Sequence, residues 1–164
     1  MIAQIKRNNW SRFCKKFNIT NQLRNATVSV KHEGGNEVEI NQNSPFLGIS
    51  IAKKGRLIDA VDLFTGQYDP EKLTEPVVSV KQPVKMVLEK DNDDKDNRLT
   101  VESKDGTMAQ VILCGEKVAD QRKVFVEKVA YSMYEQRGFT SGGDVDDWLE
   151  AERRIREIEL QLVQ

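Results

Sequence analysis

Side chains that move protons, attack carbonyls or hold metals are scarce in this chain, and those present are poorly spaced for such work. The 164 residues include one histidine, His32, and two cysteines, Cys14 and Cys114. Histidine is the commonest general acid or base because its pKa lies near working pH. Here it stands in VSVKHEGG, after an alternating apolar stretch and before two glycines, so it reads as the exposed tail of a strand entering a turn. A Ser-His-Asp triad would have to be built on this one residue, and no GxSxG elbow precedes any serine. The cysteines lie far apart with no CxxC and no second histidine, so zinc spacing fails and they read as two reduced, half-buried thiols.

The aspartate run DNDDKDN, Asp91–Asn97, invites a calcium test. Counting Asp91 as the first position puts Asp93 third and Glu102 twelfth, but Lys95 and Asp96 stand where an oxygen ligand and a glycine are needed. Two period-two segments flank the run, which makes it the solvated connection of a hairpin. Neither GxxxxGK[ST] nor GxGxxG occurs. Gly142 and Gly143 open a helix, but Asp144, Asp146 and Asp147 in its first turn repel the anion that such an end attracts. No catalytic, cofactor-binding or metal-ligating residue is assigned on this basis, no cofactor is expected, and an enzyme is not expected.

Hydrophobic residues make up 38% of the chain and charged residues 31%. That is enough for one core of modest size, since a chain near 150 residues buries about 70% of its extended surface. No apolar run approaches the ~20 residues of a membrane helix, and the start, MIAQIKRNNW, has no apolar core of a secretory signal. The expected location is the cytoplasm.

Trp10, Phe13, Cys14 and Phe17 fall at i, i+3, i+4 and i+7 and predict a short helix from about Asn9 to Asn18. The period then becomes two. Ala26, Val28 and Val30 alternate with polar residues, and further strand candidates are Phe46–Ala52, Leu57–Leu63, Val77–Lys81, Val84–Lys90, Leu99–Glu102 and Met108–Cys114. Turn chemistry separates them: GGN, NQNSP, KKGR, TGQYDP, Gln82-Pro83, the aspartate run and KDG. Connections this short join antiparallel neighbours. The prediction is an α+β chain: an N-terminal helix packed on an antiparallel meander sheet of five to seven strands, over residues 1–115.

Residues 116–164 switch to a 3.6 period and predict an αα-hairpin. From about Val118 to Gln136, Phe125, Val126, Val129, Ala130, Met133 and Tyr134 form one stripe, and Gly138 is placed to end the helix in the left-handed conformation. Asp144 is the expected N-cap of the last helix, with Asp147 in the capping-box position. Trp148, Ala151, Ile155, Ile158 and Leu162, spaced 3-4-3-4, form a seam, supported by Glu150–Arg154 and Glu152–Arg156 pairs. The seam is buried either on the preceding helix or, in addition, against a second subunit.

The stretch AYSMYEQRGFTSGGDVDDWLEAERRI resembles the bacterial family called domain of unknown function 2934, through Ala130, Tyr131, Tyr134, Arg137, Gly138, Trp148, Leu149, Ala151 and Glu152. Upstream, Trp10 and Phe13, PFLGIS at Pro45–Ser50, TEPVVSV and ESKDGT resemble domain of unknown function 5335. The resemblances imply a bacterial host. They carry over no activity and no catalytic residue. The packing expected in the hairpin sets Trp148 and Leu149 against Tyr131 and Tyr134, with Arg137 or Glu152 tying the loop ends; an exposed Tyr/Trp patch would instead be a partner site.

Net charge is −1, yet residues 1–32 carry Lys6, Arg7, Arg12, Lys15, Lys16, Arg24 and Lys31 with no acid, leaving −8 for the rest. Arg12, Lys15 and Lys16 are expected opposite the aromatic stripe. Two functions compete on these grounds. One is a non-enzymatic interaction or regulatory module whose partner surface, for an unknown protein or for self-association, is Tyr131, Tyr134, Arg137, Trp148, Leu149 and Glu152. The other is a nucleic-acid binder with Arg7, Arg12, Lys15 and Lys16 as anion contacts.

Overall fold

The computed structural model describes residues 1–116 and 119–164. The chain is α+β, with strands β1 (Ile2–Gln4), β2 (Asn25–Lys31), β3 (Glu37–Lys54), β4 (Leu57–Thr65), β5 (Val78–Lys81), β6 (Pro83–Lys90), β7 (Asp96–Ser103) and β8 (Met108–Cys114). Among the described residues three α-helices accompany them: α1 (Trp10–Asn21), α2 (Ala119–Gln136) and α3 (Asp144–Val163). The expected start of the second helix near Val118 lies outside the described residues. Among the described residues, no helix is long and apolar enough to cross a membrane.

All eight strands join one antiparallel sheet in the order β1-β6-β7-β8-β2-β3-β4-β5. Five to seven strands in a meander were expected, and both number and order differ. One added strand, β1, pairs with the edge of β6 over three residues, too short a segment to show a period. Another difference is β3, which runs 18 residues through the segment NQNSP where a turn is predicted. Its first half pairs with β2 and its second half with β4, with register shifts between Ala26 and Val28 and between Phe46 and Gly48. The polar residues bend the strand instead of ending it. Asn43 takes φ 50° there, Asn41 Nδ2 donates to Thr65 Oγ1 at 2.9 Å, and Ser44 Oγ donates to Asn41 Oδ1.

Two hairpin series, β2 to β5 and β6 to β8, are joined by pairing of β8 with β2. Between β5 and β6 stands only Gln82, at φ 47°, where the chain leaves β4 to pair with β7. Ser103 Oγ donates to Lys81 O at 2.6 Å and Lys104 N to Gln82 O at 2.9 Å, holding the corner. The sheet therefore curls, and Val28, Ile49, Leu63, Val80, Met86, Leu99 and Val111 share one core. Helix α1 closes it with Trp10, Cys14 and Phe17. Trp10 is buried and its Nε1 donates to Ile5 O at 3.0 Å, which satisfies the indole N–H. The helix runs three residues beyond the expected Asn18, because Asn18 and Asn21 are buried by partners from other elements.

The seam of α3 is buried in two places. Trp148, Ala151 and Ile155 pack with Phe125, Val126, Val129 and Met133 of α2 and with Leu73 from the β4–β5 loop. Ile158 and Leu162 instead cover Leu47 and Phe64 on β3 and β4. Strand β3 is consequently buried without interruption from Ser44 to Ile49, as expected of a strand covered on both faces. At the crossing of α1, β3 and α3 lies Asn18. Its Nδ2 donates to Ile49 O at 2.8 Å and Leu162 O at 2.6 Å, and its Oδ1 accepts from Ile49 N at 2.8 Å. A Cβ on Gly48 would come within 3.0 Å of both Asn18 and Leu162, so glycine permits this approach.

Gly138, at φ 73°, ends α2 in the left-handed region as predicted. The start of α3 differs from expectation. Its N-cap is Gly143, Asp144 is already helical, and no side chain caps the end. Asp147 has an alternative partner in Arg137, whose Nη2 donates to its carboxylate at 2.5 Å.

Candidate interaction surface on the helical hairpin

An α-helix turns about 100° per residue, so adjacent residues point in different directions and need not both meet the same neighbouring helix. Trp148 takes the inward position, half-buried against the α2 cluster. Leu149 is 58% exposed. The expected docking of both Trp148 and Leu149 on the tyrosines is therefore corrected for Leu149. It borders a second groove with Glu152, Arg156 and Leu160 on the outer face of α3.

Tyr131, Tyr134 and Trp148 come together around a cavity of about 350 Å³ whose polar wall includes Glu127, Asp144 and Asp147. The two tyrosine rings lie 6.1 Å apart, and Tyr134 meets Phe139 edge-on at 5.2 Å. Arg137 stacks over Tyr134 at 5.8 Å while bonding Asp147, so one side chain fixes both the loop and an aromatic wall. Arg137 thus ties the loop ends and Glu152 does not: its carboxylate lies 2.8 Å from Arg156 and 3.8 Å from Arg122. Both sequence-read helix pairs form, Glu150–Arg154 and Glu152–Arg156, each at 2.8 Å. Arg153 and Arg154 hold the Glu150 carboxyl down at about 2.

The hairpin leaves large apolar side chains in water: Tyr131 of the cavity wall at 56% exposure, Phe139 against Tyr134 at 55%, and Val145 at the start of α3 at 71%. Phe139 was missed by sequence reasoning. Its place after a helix-ending glycine was the available signal, because a bulky apolar residue in a polar loop has no core position to fill.

The basic residues of the N-terminal segment are distributed over several environments. Arg7 stacks on Trp10 at 4.8 Å and its Nη1 donates to Pro83 O at 2.6 Å. Arg12 and Lys15 are exposed. Lys16 is exposed as well, but it borders a cavity beside Phe13 and Phe17 rather than lying opposite them. Arg24, counted from sequence among the cations, is buried.

His32 is exposed at the end of β2, its Nδ1 3.3 Å from Thr107 Oγ1. The cysteines are both free but unlike: Cys14 is buried and Cys114 exposed, where half-burial was expected of each. Burial pushes the Cys14 thiol up to about 12, removing thiolate reactivity. In the aspartate run, Asp91 Oδ1 accepts from the backbone N–H groups of Asp93 at 2.9 Å and Lys95 at 3.0 Å. Those bonds, Lys95 first, hold its carboxyl below the usual range. Residues 91–95 of the run form the connection between β6 and β7 that the flanking periods predicted, while Asp96 and Asn97 already belong to β7.

Comparison with known proteins finds no matching curated protein and no matching solved structure. The upstream resemblance to domain of unknown function 5335 gains no support from it. Residues 126–157, which span the aromatic cavity, the Arg137–Asp147 tie and the first part of the α3 seam, match the family described as Protein of unknown function (DUF2934).

Proposed function

We propose that this is a non-enzymatic bacterial interaction module whose C-terminal hairpin carries the partner surface. The observation that supports it is the cavity walled by Tyr131, Tyr134 and Trp148, with Tyr131 exposed and exposed Phe139 packed edge-on against Tyr134, on a hairpin whose seam is already buried. Contiguous exposed apolar groups ringed by polar ones mark partner sites, and aromatic side chains commonly anchor them. The partner chemistry follows from the walls. Three aromatic rings with Glu127 and Asp144 favour a cation on an apolar stem, and Asp147 is already engaged by Arg137. The occupant is a lysine or arginine side chain of an extended, basic protein segment.

Fluorescence polarisation with labelled peptides tests this. Lys- and Arg-containing peptides with apolar flanks bind the whole chain, and acidic peptides do not. Tyr131→Ala weakens the binding by about tenfold, the scale of a lost interface anchor of about 1.4 kcal/mol. Equal affinity of wild type and Tyr131→Ala for the basic peptide would refute the assignment. Deleting the hairpin is an unsuitable control, because Ile158 and Leu162 cover Leu47 and Phe64.

A second reading, nucleic acid on α1, draws on Arg12, Lys15 and Lys16. Each is exposed and none forms an ion pair among the described residues. It requires a mobility shift with RNA or DNA that weakens steeply with salt and disappears in an Arg12→Glu, Lys15→Glu variant.

A further inference from the structure

A cavity of about 560 Å³ opens between α1, the β1–β6 edge and the β6–β7 hairpin. Its volume lies within the roughly 300–1,000 Å³ of small-molecule sites. The walls are largely apolar, with Ile5, Phe13, Phe17 and Leu88 among them. The polar groups are what distinguish it from a packing gap. Arg24 lines the cavity and is only 8% exposed. Its Nε donates to Gly115 O at 2.7 Å, and its Nη1 donates to Asn21 Oδ1 at 2.9 Å and Asp96 O at 2.7 Å.

All three acceptors are neutral oxygens. A guanidinium has five N–H donors, and among the described residues the two on Nη2 have no hydrogen-bond partner. Buried charges are ordinarily paired. Here the nearby carboxylates are committed to other groups: Asp94 and Asp96 lie 3.7 and 3.9 Å from Lys90, and Glu116 pairs with Lys95. Asp96 also accepts from Asn21 Nδ2 at 2.7 Å. The field of Arg24 reaches Asp91 and Glu116, where it is the weakest of the charges lowering their carboxyls. Lys16, one turn from Phe13 and Thr20 on the cavity side of α1, likewise has no carboxylate within ion-pair distance among the described residues. Asp94, Asp96 and Glu116 line the cavity together with the Lys90 and Lys95 they pair with, whereas Arg24 and Lys16 face it without an ion pair among the described residues.

We propose that this cavity binds an amphiphilic carboxylate, its head group on Arg24 Nη2 and Lys16 and its hydrocarbon chain along Ile5, Phe13 and Leu88. The site is separate from the hairpin surface and stands or falls independently of it.

Isothermal titration of the full chain with decanoate, below its micelle concentration, tests the assignment. Decanol supplies the same chain without charge, decyltrimethylammonium the opposite charge, and acetate the head alone. Decanoate is expected to saturate one site per chain, decanol to bind about tenfold more weakly, and the cation and acetate not to bind. Lys16→Glu, at an exposed position, weakens decanoate by about fivefold or more, and Ala3→Trp fills the space and abolishes binding. Circular dichroism checks that both variants are folded. Equal affinity for decanol and decanoate would overturn the anionic head, and decanoate affinity indifferent to both substitutions would overturn the site.

Discussion

Gly66→Ala is the sharpest test of how the hairpin is fixed to the curled sheet. Gly66 follows β4, and its N–H donates to Pro45 O at 2.7 Å, so its backbone is held. Its φ is negative, and alanine fits the backbone without strain. The cost is steric. A Cβ there would stand 2.5 Å from Pro45 Cγ and 2.9 Å from Phe125 Cδ2, with Phe125 Cε2 nearer still. Ordinary contact begins at 3.4 Å, so the ring must withdraw by about 1 Å or more. Phe125 is 1% exposed and stands among Leu73, Val129 and Ile155, which leaves it nowhere to go without moving α2. Overpacking of this kind costs about 1–3 kcal/mol, and full ejection of the ring approaches the roughly 3–5 kcal/mol of a Phe→Ala change. The expected loss is about 2–4 kcal/mol, or about 5–15 °C in Tm for a chain of this size. Thermal unfolding followed by circular dichroism measures it. In a Phe125→Ala background the penalty should fall, because only the Pro45 Cγ contact at 2.5 Å remains. A Gly66→Ala protein melting within about 2 °C of wild type, or an equal penalty in both backgrounds, would show that Phe125 is not seated against Gly66.

Other consequences are open to direct measurement. Asn18→Leu strips partners from Ile49 N–H, Ile49 O and Leu162 O, each left buried; at about 1–3 kcal/mol per orphaned group the loss is about 3 kcal/mol or more, readable from urea midpoints. Native labelling with a thiol reagent at pH 8 modifies Cys114 rapidly and leaves Cys14 intact until the chain is unfolded, because Cys14 is buried and its thiol is raised to about 12. The Glu150 carboxyl sits at about 2 when folded against an ordinary 4.5. Its pairs with Arg153 and Arg154 therefore contribute fully above pH 4.5 and are lost as pH falls toward 2, a dependence that Glu150→Gln removes from acid-titrated melting curves. Arg137→Ala frees Asp147 and one wall of the aromatic cavity, and is expected to weaken basic-peptide binding with little change in Tm.

The helices were legible because their apolar residues recur at one spacing over several turns. Trp10, Cys14 and Phe17 enter the core as their period requires, and the seam from Ala151 to Leu162 is buried. What covers that seam was not legible, since a period identifies the buried face without naming its partner. The sheet was read less completely for two physical reasons. Three residues of β1 carry no period. In β3, Val38 and Ile40 are exposed and the polar run through Asn43 is bent by pairing on both sides, so local turn preference yielded to the ladders of β2 and β4. Arg137 was singled out for tying the loop and does so, whereas Glu152, the alternative tie, is held by Arg156 and Arg122, and Leu149, expected to dock beside Trp148, is exposed.

Arg24 shows where counting charges stops being informative. In the sequence it is one of seven cations in an acid-free segment, indistinguishable from Arg12 or Lys15. The fold separates them by solvent. Arg12 and Lys15 stand in water, where mobile ions screen them. Arg24 is enclosed by Asn21, Asp96 and Gly115, whose oxygens satisfy part of its hydrogen-bonding capacity without giving it a direct ion pair among the described residues. A purely structural arginine at this corner would be served equally well by a nearby carboxylate, and Asp96 is close enough to lend its backbone oxygen while its side chain goes to Asn21 and Lys90. The arrangement leaves Nη2 of the guanidinium without a protein partner among the described residues, beside the apolar wall of Ile5, Phe13 and Leu88, and that is the reason to look for an anion there.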